Sequence, residues 1–177
     1  MGIQNVLIEG VSGTGKTTIA EELQRRGYHV VHGDRELAYR GDPLTGLPLP
    51  GPIPAGVPDP IAWVHEHHIW DIDKLKAHLA DDHAPITFFC GGARNFPDFV
   101  DLFDTVFVLD VDRETLERRL ALRPADEFGG NPAERDLIMQ LHATKADIPS
   151  NAISIDATAP LALVVDTILS QCRPSAT

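Results

Sequence analysis

Eight neighbouring residues carry the densest chemical signal in the chain: Gly10, Ser12, Gly13, Thr14, Gly15, Lys16, Thr17 and Thr18. Residues 10–17 read Gly-Val-Ser-Gly-Thr-Gly-Lys-Thr, a full G-x-x-x-x-G-K-[ST] phosphate loop. Glycines let the backbone bend tightly and bring several N–H groups near phosphate oxygens. The N-terminus of the helix that follows adds partial positive charge at the same place. Lys16 reaches the β- and γ-phosphates as a point charge, and the Thr17 hydroxyl is the natural ligand for Mg²⁺. The motif has meaning only between a strand and a helix. Val6-Leu7-Ile8 supplies an apolar run before it, and Thr18 to Leu23 a helical pattern after it.

Composition limits what such a site can serve. The chain has 177 residues, enough for one domain with a real core. Its formal net charge is -11, which argues against a nucleic acid polymer or an anionic membrane as partner. A bound nucleotide must then be held by a local cluster of Lys and Arg. Cys90 and Cys172 make no disulfide framework, which fits a reducing compartment. No apolar run approaches the roughly 18 residues of a membrane span, and the N-terminus leads straight into a strand. The expectation is a cytoplasmic protein, monomer or homodimer.

The elements that would position the loop alternate. Strands are expected at Asn5–Glu9, Tyr28–His32, Ile86–Cys90, Thr105–Leu109 and Ala152–Ile155. Helices are expected from the loop to Arg26, over Arg113–Leu122 with Asp112 as N-cap, over Ala133–Asp147 and over Leu161–Gln171. Asn95–Phe103 reads as a short helix. Ile69, Ile72, Leu75, Lys76 and Leu79 have helical spacing and extend a helix that carries Trp63 to Trp70. This alternation predicts an α/β domain with a parallel sheet covered on both faces.

Gly41–Pro60 stands apart, with seven of the fourteen prolines and four glycines. It cannot be regular helix or strand, and a loop this long is expected to move over a substrate site. Beyond it, His65, Glu66, His67 and His68 suggest a metal. On a helix only His65 and His68 share a face, so a third ligand must come from elsewhere. The alternatives are that Trp63, His67 and their neighbours line a pocket for a ring, or that the tryptophans are core and the histidines surface.

At this point the chain resembles the small phosphate-loop kinases: nucleoside and nucleotide kinases of the adenylate kinase type, and shikimate and gluconate kinases. The resemblance spans nearly everything outside 41–70 and implies a three-layer α/β/α fold with sheet order 2-3-1-4-5. Leu116-Glu117-Arg118-Arg119-Leu120-Ala121-Leu122-Arg123 resembles the helix entering the adenylate kinase lid. That puts Arg119 and Arg123 on the phosphates and makes 123–132 a lid. Cys90-Gly91-Gly92-Ala93-Arg94 resembles the acceptor turn after strand three, with Gly91 and Gly92 for close approach and Arg94 as an anion clamp. Gly33-Asp34 resembles the end of strand two, where an acid holds and activates the acceptor hydroxyl. Asp156 to Pro160, with Thr158, resembles the loop around adenine. The chain departs from these relatives at His32 and Cys90, where they carry acids. Mg²⁺ then depends on Thr17, phosphates and water, with Asp34 or Asp110 in support.

Together these readings imply an ATP- and Mg²⁺-dependent kinase of a small molecule. Lys16, Asp34, Arg119 and Arg123 are the catalytic candidates. Gly10, Ser12–Thr18, Arg119, Thr158 and Pro160 are the nucleotide candidates, and Asp34, Trp63, His67, Gly91, Gly92 and Arg94 the acceptor candidates. Residues 41–70 would be an acceptor-side insertion. The acceptor is expected to be a nucleoside or nucleotide, or alternatively a sugar acid or other polar metabolite. A nucleotide-binding regulatory module with little turnover stands beside both.

Overall fold

The computed structural model describes residues 3–172. Its centre is a five-stranded parallel sheet of β1 (Gln4–Glu9), β2 (His29–His32), β5 (Ile86–Cys90), β6 (Thr105–Asp110) and β7 (Ile153–Asp156). The order is β2-β5-β1-β6-β7, which is 2-3-1-4-5 when only these five strands are counted. The register Leu7↔Phe89 and Leu7↔Val106 sets β1 in the middle. The inner strands β1, β5 and β6, buried on both faces, read as near-continuous apolar runs, whereas the edge strand β7 alternates, with Ile155 buried and Ile153, Ser154 and Asp156 exposed.

Alternate residues face two cores. Val6, Ile8, Val30, Phe88, Phe107 and Leu109 meet α1 (Lys16–Arg25), α5 (Arg113–Ala121), α6 (Pro132–Thr144) and α7 (Leu161–Gln171). Leu7, Val31 and Phe89 meet Trp70, Leu75, Phe99 and Phe103 on the other face. Each large side chain buried here is worth about 1.5–3 kcal/mol against exposure. The result is the three-layer α/β/α arrangement.

Three stretches differ from the sequence reading. After β2 the chain makes a single turn, α2 (Gly33–Glu36), then a strand β3 (Ala38–Arg40). The expected helix through Trp70 is broken into α3 (Pro60–Glu66), β4 (His68–Trp70) and α4 (Ile72–Leu79). β4 pairs antiparallel with β3, and Asp71 caps α4 by accepting the Lys74 N–H at 3.0 Å. The pairing removes the strand from the helical spacing that Ile69 shares with α4. Asn95–Phe103 forms two 3₁₀ turns, Phe96–Asp98 and Val100–Leu102. Asn95 is occupied elsewhere: its amide accepts from the Trp70 N–H and donates to the Trp70 carbonyl, both at 3.0 Å. The first half of 41–60 folds back on β3, where Arg40 donates to the Leu49 carbonyl and Tyr39 to that of Gly46. No described helix is long and apolar enough to cross a membrane.

Candidate active site

The phosphate loop leaves the carboxyl end of β1 and enters α1. Gly13 and Gly15 have φ of 92° and 107°, the left-handed region that side chains disfavour. Thr14 is buried and braces the loop by donating to the Val11 carbonyl at 2.7 Å. Lys16 donates to the Gly10 carbonyl and, at 3.4 Å, to that of Val11. Ser12–Thr18 line a cavity of about 780 Å³ together with Arg119, Arg123, Ala157 and Ala159.

Arg119 and Arg123 reach this cavity from α5. Arg119 donates to the Thr14 carbonyl at 3.2 Å and to the Ala157 carbonyl at 2.8 Å, joining the phosphate loop to the β7–α7 turn. Arg123 follows at the end of α5 and donates to Ser12 Oγ at 2.9 Å and to the Phe128 carbonyl. Burial pulls its pKa below the ordinary guanidinium value. Residues 123–132 fold against α6, where the Gly129 N–H donates to Glu134 and Arg135 to the Gly129 and Gly130 carbonyls. Phe128 stacks on His65 with centroids 6.4 Å apart.

A second cavity, of about 340 Å³, adjoins the first and shares Ser12, Lys16, Asp34 and Phe128 with it. Its polar wall is Glu9, His65, His68, Gly92, Arg94 and Asp147, and its apolar wall Val64, Phe128, Ile138 and Leu141. Asp34 is half-exposed here and accepts from His68 Nε2 at 3.2 Å and weakly from the Gly92 N–H at 3.4 Å. Burial pushes its pKa up, but His68, Lys16 and the Gly92 N–H outweigh it and hold Asp34 below the ordinary carboxylate range. Arg94 lies 3.0 Å from Asp147 Oδ2 and donates to the Asp147 carbonyl at 2.8 Å. Asp147 is likewise pushed up by burial and brought lower on balance by His65 and Arg94, so it is charged.

Glu9, the last residue of β1, stands in the same wall and is 1% exposed. Its Oε1 accepts the Gly10 N–H at 3.0 Å, and its Oε2 has no partner among the described residues. Burial raises its pKa from 4.5 to about 7 against the pull of Lys16 and Arg94. The carboxyl group fits because position 92 has no side chain: a Cβ there would lie 2.2 Å from Glu9 Oε1.

The AAA domain family model matches residues 6–140. The chain belongs to the AAA domain family. No curated protein matches it. Among solved structures, shikimate kinase from Bacteroides thetaiotaomicron is similar at 14% identity and TM-score 0.58, over 96% of this chain and 98% of that one. A gluconokinase from Sinorhizobium meliloti 1021 is similar at 18% identity and TM-score 0.53, over 94% and 90%. Deoxyadenosine kinase from M. mycoides, solved with bound dATP, gives 15% identity and TM-score 0.50 over 95% and 98%. At such identities the likeness is one of fold.

In this AAA domain, Lys16, Asp34, Arg119 and Arg123 come together around the first cavity, and Asp34, Gly92 and Arg94 around the second. Gly91 sits behind Asp34, where a Cβ would meet Asp34 Oδ1 at 2.9 Å. Gly10 lines the second cavity rather than the first. Trp63 and His67 differ from expectation. They stack on each other at 4.2 Å, with Arg40 over the indole, while the same stretch presents Val64, His65 and His68 to the cavity. Ala157 and Ala159 line the nucleotide cavity where Thr158 and Pro160 were expected, and those two are exposed. None of residues 41–60 lines either cavity. Asp110 is taken by Lys145 at 2.7 Å. His32 turns to Gln24 at 3.1 Å, and Cys90 is core, its thiol pushed up to about 12 by burial. Glu9 was missed because it ends an apolar run. The available signal was an acid in the final position of a buried strand, next to the loop.

Proposed function

We propose that this AAA-domain protein is an ATP-dependent kinase of a small molecule, with a nucleoside or nucleotide as the first candidate acceptor. The observation that carries the reading is the junction of two cavities at Lys16 and Asp34. One is walled by the phosphate loop and two arginines, the other by ring-sized apolar surface and polar groups. ATP lies along the first, its phosphates on the loop N–H groups and Lys16. The acceptor hydroxyl oxygen attacks the γ-phosphorus, the bond from that phosphorus to the bridging oxygen breaks, and ADP leaves. The hydroxyl proton passes to Asp34, which is charged and half-exposed at the junction. Arg119 and Arg123 stabilise the charge on the transferring group, which is most of what phosphoryl transfer needs.

Mg²⁺ fits the donors present. Thr17 is exposed at the cavity and Asp34 half-exposed, both offering oxygen. Among the described residues no cluster of three metal-ligating side chains stands at the junction; such a cluster occurs only at Asp81, Asp82 and His83. Thr17 and, through water, Asp34 would hold the ion, and it would supply neutralising charge for the phosphates. Fold likeness to a gluconokinase and a shikimate kinase keeps a sugar acid as second acceptor class. The acids absent at His32 and Cys90 favour the slow regulatory binder as a third reading.

ATP turnover measured with and without a panel of acceptors tests the proposal, with Lys16→Ala as control. Acceptor-stimulated ADP release that falls by about 10²-fold or more in a folded Lys16→Ala protein is expected. ADP release that no acceptor stimulates, or that Lys16→Ala leaves unchanged, refutes the kinase reading.

A further inference from the structure

Four cations line the first cavity: Lys16, Arg35, Arg119 and Arg123. Three are seated on the protein. Lys16 donates to the Gly10 and Val11 carbonyls, Arg119 to those of Thr14 and Ala157, and Arg123 to Ser12 Oγ and the Phe128 carbonyl. The exposed side chain of Arg35 has no hydrogen bond or ion pair among the described residues. The turn that carries it is nevertheless tied on both sides of Arg35. Gly33 is pressed against Trp70, where a Cβ would meet Cζ2 at 2.0 Å. Asp34 accepts from His68 and the Gly92 N–H, Glu36 accepts the His32 N–H at 2.6 Å, and Leu37 is in the core. Its neighbours are fixed by the fold, while Arg35 gives its guanidinium to the cavity. A free fork of donors on a fixed turn is prepared for a phosphate, because little backbone order remains to be imposed.

The position of Arg35 selects among the phosphates. Asp34 belongs to both cavities and marks their junction, and Arg35, the next residue, lines the first cavity only. With the phosphates on the loop and the acceptor beyond the junction, the phosphate beside Asp34 is the terminal one. We propose that Arg35 holds the γ-phosphate from the acceptor side, while Arg119 and Arg123 hold it from α5. Arg35 thereby raises affinity for a triphosphate relative to a diphosphate. The proposal rests on the kinase reading only for the lie of ATP along the first cavity, and needs neither an acceptor nor turnover.

Titration calorimetry in Mg²⁺ tests this with ADP and the β,γ-imido analogue of ATP, which is not hydrolysed, on the full chain and on Arg35→Ala and Arg35→Lys. Arg35→Ala should weaken the analogue by about tenfold or more, the effect of one hydrogen bond between charged groups. ADP affinity should stay within about threefold, because an exposed charge acts weakly beyond its contacts, and it reports that the variant is folded. Arg35→Lys should recover part of the loss, since it keeps the charge without the fork. Equal weakening of both nucleotides would make Arg35 a general surface cation and overturn the proposal. So would an analogue affinity that Arg35→Ala leaves unchanged, or a wild-type protein that does not bind the analogue. A selective loss in a protein whose ATP turnover no acceptor stimulates would refute the kinase reading and leave the assignment of Arg35 standing.

Discussion

Replacing Glu9 by Gln should flatten the pH dependence of folding stability across a defined window. Glu9 is buried, and burial raises its pKa from 4.5 to about 7; Asp34 adds to the rise, while Lys16, Arg94 and the Gly10 N–H oppose it. Between these two values the folded protein keeps a proton that the unfolded chain has released. Stability therefore declines as pH rises through the window: Glu9 costs nothing below about 4.5, and its full cost is present above about 7. At 1.36 kcal/mol per unit the cost is on the order of 3 kcal/mol, a large part of a typical folding stability. The amide of the Glu9→Gln variant does not titrate, so the wild-type curve minus the variant curve isolates the group. Urea unfolding of the nucleotide-free protein, followed by circular dichroism between about pH 4 and pH 8, measures both curves. A difference that falls by about 3 kcal/mol from the acid to the neutral end is expected. Parallel curves, or a difference that rises with pH, would refute the argument and make Glu9 an ordinary ionised carboxylate.

Other changes act on the same machinery. Arg119→Ala or Arg123→Ala should lower kcat by on the order of 10²-fold in the ATP assay, since both guanidiniums stand over the phosphate loop; a loss of melting temperature with normal kinetics would make them structural instead. Asp34→Asn should abolish most acceptor turnover while calorimetry finds ADP affinity little changed, and a parallel fall in both would remove Asp34 as the proton acceptor. Gly92→Ala should cost about 1–3 kcal/mol, a melting shift of roughly 2–4 °C per kcal/mol, because its Cβ would press on a carboxyl group that Gly10 pins. In a Glu9→Ala background most of that shift should vanish, and persistence of the full shift would show that the crowding lies elsewhere.

The layer order was legible because the inner strands β1, β5 and β6 each carry an apolar run and several of the surrounding helices have a cap. Asp112, for example, accepts the Thr115 N–H at 2.8 Å, as its position before Arg113 suggests. The phosphate loop was legible because its chemistry is local in sequence. The stretch from Ala38 to Leu79 was not, because three-residue strands carry too few side chains to show a period of two. What holds β4 as a strand is distant: Arg40 and Ala38 on one side and Asn95 on the other. The facing of Trp63 and His67 followed from treating that stretch as one helix. Arg94 was read as an anion clamp, and its pairing with Asp147 went unseen because Asp147 lies far along the chain in a segment with no motif. Glu9 needed the knowledge that Gly92 would leave room for it.

Phe128 belongs to both cavities at once. Its ring rests on His65, and its carbonyl is held by Arg123, which also holds Ser12. A molecule that displaces the ring from one side redraws the wall seen from the other, and one that draws Arg123 toward a phosphate loosens the carbonyl that seats the ring. The two compartments are therefore not independent sites that happen to adjoin. Whatever free energy passes through that shared wall is the same in both directions, so the factor by which a nucleotide alters affinity for the acceptor is the factor by which the acceptor alters affinity for the nucleotide.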